Sequence, residues 1–164
     1  MTLEVLSFTT KSDRLLRVLF SETLISPAFD PKQTTSPPQY VKFMAIWDTG
    51  ATGTVISKKV VEKCGLKPIS MVKVYTAAGE NISPSPVYLI NIILRNNVVI
   101  SYLRAIEGDI CGGCDVLIGM DIINRGDFAV TNKDGKTAFS FRIPSIECID
   151  FTKHKSSLIN PTSK

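Results

Sequence analysis

The chain carries one histidine, His154, in 164 residues. Serine and cysteine hydrolases of the Ser-His-Asp or Cys-His kind need a positioned imidazole. His154 sits in a polar stretch near the C-terminus, so that chemistry is nearly excluded. Cysteine is also scarce: Cys64, Cys111, Cys114 and Cys148 are too few to staple a chain of this length, and a reduced, intracellular setting is the expectation. No apolar run reaches the length of a membrane span. The longest, Val87 to Leu94, is broken by Asn91. There is no arginine-rich stripe and no interleaved aromatic platform behind the net charge of +4, so neither a nucleic-acid nor a membrane partner is expected. The opening Met1-Thr2-Leu3-Glu4 lacks a basic segment followed by an apolar one. No secretion signal is read there, and the expected location is cytoplasmic.

What is present suits a soluble globular domain with a real core. The hydrophobic fraction is 44% and the charged fraction 21%, both ordinary. Apolar residues fall in short β-type runs. Leu3 to Phe8 alternates weakly, Leu15 to Ile25 reads as a strand, and Tyr40 to Trp47 places Val41, Phe43, Ala45 and Trp47 on one face. The proline-rich stretch 26–39 between them reads as a loop. Ser57 looks like the N-cap of a short helix that Gly65 ends. Val72 to Thr76 reads as a strand ending in a tip of small residues. Val87 to Leu94 and Val98 to Arg104 form a hairpin, as do Phe128 to Thr131 and Thr137 to Ile143 around Asp134-Gly135. Val116-Leu117-Ile118 is a short apolar step, and Met120 to Asn124 makes a turn or two of helix. The sum is about eight short strands and one or two short helices: an all-β, mostly antiparallel protein closed into a small barrel or folded sheet. The expected domain is 1–145, with 26–39 as a loop insertion and 146–164 as a partly disordered extension.

One position stands out. The strand Tyr40 to Trp47 runs directly into Asp48-Thr49-Gly50, followed by Ala51-Thr52. Asp and Gly are common turn formers, so the tripeptide alone says little. Two further stretches accompany it: Val74-Tyr75-Thr76-Ala77-Ala78-Gly79, a Gly-tipped hairpin, and Asp115-Val116-Leu117-Ile118-Gly119-Met120-Asp121, an apolar step into a helix. In that order and spacing, from roughly Leu15 to Ile143, the chain resembles the single-domain, retropepsin-like aspartic proteases.

The resemblance implies a chemistry that the residue count sharpens. Peptide hydrolysis by water needs a base for the water proton and an acid for the carbonyl oxygen and leaving amine. Two adjoining carboxylates can share one proton and fill both roles. The chain has a single Asp-Thr-Gly, so a working site implies a homodimer with Asp48 from each subunit. By the same resemblance, Thr49 hydrogen-bonds across the dimer axis, and Gly50 offers its amide to the carboxylate. Tyr75, Thr76, Ala77, Ala78 and Gly79 form a flap over a peptide or protein substrate. Ala51, Thr52, Ile118 and Gly119 support the site from behind. No metal or other cofactor is implied. Asp115 and Asp121 read as structural, and Trp47, bulkier than the usual aliphatic residue there, as a core aromatic.

Other motifs are weaker. Cys111-Gly112-Gly113-Cys114 lacks the further paired ligands of a zinc site and reads as a tight loop, with a regulatory disulfide as the alternative. Asn81-Ile82-Ser83 matches a glycosylation sequon that an intracellular chain does not use. Three functions follow: an aspartic endopeptidase, a non-catalytic retropepsin-like dimerisation or peptide-binding module, and a thiol sensor. The intact Asp48-Thr49-Gly50 favours the first.

Overall fold

The computed structural model describes residues 4–30, 32–76, 79–80 and 84–153. Among the described residues twelve strands and two short α-helices follow one another. The strands are β1 (Leu6–Lys11), β2 (Leu19–Pro27), β3 (Val41–Trp47), β4 (Val55–Ile56), β5 (Ser70–Val72), β6 (Tyr75–Thr76), β7 (Gly79–Glu80), β8 (Ser85–Ile93), β9 (Val99–Glu107), β10 (Val116–Ile118), β11 (Asp127–Thr131) and β12 (Ala138–Ile143). Helix α1 is Lys58–Cys64 and α2 is Met120–Ile123. None of the described helices is long and apolar enough to cross a membrane.

Six strands close into a barrel in the order β2-β3-β10-β4-β9-β8, with β8 pairing back onto β2, and β5 extends β8 on the outside. Closure removes the free strand edges that invite mispairing. Most pairings are antiparallel, as expected, but β10 runs parallel to β3 and β4 parallel to β9. A separate sheet, β1-β12-β11, covers one end. The two units are joined by aromatic side chains. Trp47 from β3 stacks on Phe128 at 5.3 Å with rings 8° apart, and it meets Phe141, Phe139 and Phe8 at 5.3–5.9 Å. Trp47, Phe8, Phe139 and Phe141 are buried, and each contributes roughly 1.5–3 kcal/mol through area removed from water. The Trp47 indole N–H also donates to the buried Ser21 hydroxyl at 2.9 Å, which satisfies both groups.

The structure corrects several expectations. Twelve strands replace about eight, because bridges such as Val55–Ile56 are too short to leave a periodic signature. The strand expected from Leu15 starts at Leu19 and continues through Ser26 and Pro27, taking the first two residues of the expected loop 26–39. Pro27 is tolerated because the pairing of β2 with β3 has already stopped at Ile25, so its missing N–H breaks no ladder there, and Ser26 is buried opposite Asn91 on β8. Val72 to Thr76 is not one strand but parts of β5 and β6. Ser57 occupies the N-cap position of α1, yet its hydroxyl makes no capping bond and is buried without a partner among the described residues. Gly65 does end the helix in the left-handed conformation, at φ 60°.

Asn91, which broke the longest apolar run, is fully buried at a bulge in β8. Its amide donates to Phe29 O and its oxygen accepts from Tyr102 N. A buried polar group satisfied on both ends fixes the strand register there.

Candidate active site

Asp48 follows β3 directly, where the backbone leaves the barrel. The parallel neighbour β10 pairs Ile118 with Trp47, and the Asp48 amide donates to Ile118 O at 3.0 Å. The last ladder bond of the barrel therefore sets where the aspartate stands. The Gly50 amide donates to Asp48 Oδ1 at 2.8 Å, which fixes the orientation of the carboxylate. A Cβ at Gly50 would lie 3.2 Å from that same oxygen, so glycine lets the amide come this close. The second carboxylate oxygen has no partner among the described residues. Asp48 is half-buried, while Thr49 and Gly50 are exposed beside it.

The loop is braced from behind. Met120 N donates to Ala51 O at 2.8 Å and Ala51 N to Asp48 O at 3.3 Å. Gly119 packs against the loop backbone so tightly that a Cβ there would sit 2.6 Å from Gly53 and 3.0 Å from Ala51 O. Asp121, in the first turn of α2, accepts from the Thr54 amide at 2.9 Å and the Thr54 hydroxyl at 2.8 Å. Thr54 is fully buried. Asp115 is also a structural group: its carboxylate pairs with Lys59 at 2.9 Å.

An open cleft of about 360 Å³ adjoins Asp48 and Thr49. Val18, Ile46, Trp47, Phe128 and Val130 make its apolar wall and Arg17 supplies a cation. Phe128 and Val130 come from β11, and nothing local in their sequence points to Asp48. Thr54 was likewise missed. Its only signal was a hydroxyl residue shortly after the motif and an acid opening the later helix.

Of the sequence-derived site residues, Asp48, Thr49, Gly50, Ala51, Ile118 and Gly119 come together in one loop and its brace. Thr52 is exposed on the same loop. Tyr75 and Thr76 pair with Glu80 and Gly79 as a separate two-stranded hairpin. Ala77 and Ala78 lie outside the described residues, as does the sequon 81–83. Among the described residues no group of three or more His, Cys, Asp or Glu is placed to hold a metal ion.

A family model described as gag-polyprotein putative aspartyl protease matches residues 39–125, more than half of the chain. The chain belongs to this aspartyl protease family. The match takes in the Asp48 loop, the β6–β7 hairpin, β10 and α2, and leaves the β1-β12-β11 sheet outside. Among solved structures, a retropepsin-like aspartic protease from Rickettsia conorii is similar over 87% of this chain and 98% of its own, at 15% identity and a TM-score of 0.53. That likeness shows the retropepsin-like fold. The simian foamy virus (mac) protease (19% identity, 64% of this chain and 91% of its own, TM-score 0.41) is also similar. So is the retroviral protease-like domain of Ddi1 from Leishmania major (15%, 76% and 95%, 0.43). No curated protein matches the chain.

Proposed function

We propose that the protein is an aspartic endopeptidase that works as a homodimer. Water is activated between two Asp48 carboxylates, one from each subunit. The ionised carboxylate takes a proton from water as it adds to the peptide carbonyl. The protonated carboxylate gives its proton to the carbonyl oxygen. The resulting tetrahedral centre breaks down with proton transfer to the leaving amine. Thr49 ties the two loops across the axis, and the β6–β7 hairpin closes over an extended peptide. The domain proposed for this task is 1–145, with 146–164 as an extension.

The observation that carries this reading is the state of Asp48. It is fixed by one backbone amide at the rim of an apolar cleft, with its other oxygen unengaged among the described residues. Asp30 makes the same bond to Lys32 N in a loop; Asp48 differs in being set at the end of a barrel strand by the bond from its amide to Ile118 O and in opening on that cleft. The dimer is supported by the sheet beside it. On β1, the Asn96 side-chain amide donates to Ser7 O at 2.9 Å and occupies the outer edge. The outer edge of β11 pairs with no strand among the described residues, and the same strand lines the Asp48 cleft. A second copy added along β11 about a two-fold axis would face the first across its Asp48 loop.

The test is cleavage of a diverse peptide pool from about pH 3 to 7, with Asp48→Asn as control, on protein whose dimeric state is measured in parallel. Cleavage abolished in the variant supports the reading. Cleavage that survives Asp48→Asn, or a dimeric wild type that cuts nothing across that range, overturns it.

A further inference from the structure

Away from the Asp48 motif, the segment Cys111-Gly112-Gly113-Cys114 brings two thiols into one tight turn between β9 and β10. Gly112 and Gly113 have φ of 84° and 75°. Two successive positive φ values are the pattern of a type I′ turn, which glycine adopts without steric cost. Cys111 and Cys114 hold its first and fourth positions, where Cα atoms lie within about 7 Å. A disulfide spans Cα separations of roughly 4.4–6.8 Å. Both thiols are free in this structure.

Their surroundings differ. Cys111 is exposed and Cys114 is 8% exposed. Asp115, the next residue, is anchored three ways. Its amide donates to Met44 O at 3.1 Å, its carbonyl accepts from Ser57 N at 2.9 Å, and its carboxylate pairs with Lys59. Cys114 is therefore the fixed end of the turn and Cys111 the accessible end. The other cysteines have no such partner. Cys64 is half-buried on α1, where its thiol donates to Ile25 O and burial pushes it up to about 11. Cys148 is exposed in the C-terminal segment.

We propose that Cys111 and Cys114 are a peroxide-responsive dithiol, with Cys111 the attacking thiol and Cys114 the resolving one. The Cys111 thiolate attacks one oxygen of a hydroperoxide. An S–O bond forms, the O–O bond breaks, and the other oxygen leaves as hydroxide or alkoxide, giving a sulfenic acid on Cys111. The Cys114 sulfur then attacks the Cys111 sulfur. The S–S bond forms, the S–O bond breaks, and the oxygen leaves as water with the Cys114 proton. The two sulfurs together lose two electrons and the peroxide gains them. Burial, and then the Asp115 charge, hold the Cys114 thiol above its ordinary value, which agrees with its acting second. The ring closed is only four residues long, so the bond adds little global stability. Its effect is to tie the free end of the loop to the end anchored beside β10.

The test uses the full chain, reduced and then exposed to hydrogen peroxide, with the products mapped by peptide mass spectrometry after alkylation. The expected wild-type product is an intrachain Cys111–Cys114 bond, lighter by two hydrogens and restored by dithiothreitol. Cys114→Ser is expected to stop at a sulfenic acid on Cys111 that dimedone captures. Cys111→Ser is expected to oxidise at Cys114 at least about tenfold more slowly. Circular dichroism confirms that both variants fold. A wild type in which Cys111 keeps its sulfenic acid, links to Cys148, or links to a second chain would overturn the proposal. So would Cys114 oxidising as fast in Cys111→Ser as the pair does in wild type.

Discussion

Asp48 and Asp127 are both aspartates at strand ends, and the structure treats them in opposite ways. Asp127, the first residue of β11, is saturated. Arg142, the Ser145 hydroxyl and the amides of Ile146 and Glu147 all donate to its carboxylate. These bonds, led by Ser145 and the Ile146 amide, hold its carboxyl well below the usual range, and they fasten the segment after β12 to the sheet. Among the described residues Asp48 has one donor, the Gly50 amide. Asp121 stands between them with two bonds from one residue, Thr54. A carboxylate held at both oxygens by several donors of its own chain holds structure. One held at a single oxygen beside an open cleft can exchange a proton with something that enters.

Substitutions test that contrast. Asp48→Asn is expected to have the largest effect, a loss of at least about 10³-fold in peptide cleavage, with the unfolding midpoint near that of wild type. A comparable loss of stability would make Asp48 a structural group like Asp127. Gly119→Ala comes next. Its methyl would meet the Gly53 backbone at 2.6 Å, and overpacking of this kind costs about 1–3 kcal/mol, read as a lower denaturant midpoint. A neutral result would mean that the loop and its brace are not in fixed contact. Thr54→Val removes the donor hydroxyl and leaves Asp121 Oδ1 without it, while the backbone amide bond to Oδ2 remains; the expected cost is about 1–2 kcal/mol. An unchanged midpoint would take Asp121 out of the brace.

The effect expected at Asp127 depends on pH. Its carboxyl is lowered in the folded state, so the unfolded chain takes up a proton first as the solution is acidified. The stability it contributes is complete above its ordinary value of 3.8 and fades as pH falls towards the lower folded value. Asp127→Asn should therefore be less stable than wild type at neutral pH, with the gap closing below about pH 4. A gap that stays constant down to pH 2 would show that the charge of Asp127 plays no part.

The sequence revealed what is local. Asp48-Thr49-Gly50 after a strand, the Gly65 helix stop and the Asp134-Gly135 turn each declare themselves over a few residues. Asp134 and Gly135 do take positive φ, at 54° and 72°. The alternation in β3 also held, with Phe43, Ala45 and Trp47 buried and Lys42 and Met44 exposed. What stayed hidden joins distant segments. Barrel closure pairs Leu24 with Ile93, and no short-range pattern encodes that partner. The Thr54–Asp121 brace joins residues 67 apart in the chain. Phe128 and Val130 reach the Asp48 cleft only because the aromatic contact with Trp47 places β11 there. The extra strands were missed because two-residue bridges are made by tertiary neighbours rather than by propensity.

The most direct measurement of a shared site is subunit mixing. Wild type and Asp48→Asn are combined in varying ratio at constant total concentration, allowed to exchange, and assayed for peptide cleavage. If each site needs Asp48 from both subunits, activity follows the square of the wild-type fraction and an equal mixture retains about one quarter. Activity that falls linearly, with about half retained in the equal mixture, would place a complete site in one chain and contradict the two-subunit mechanism.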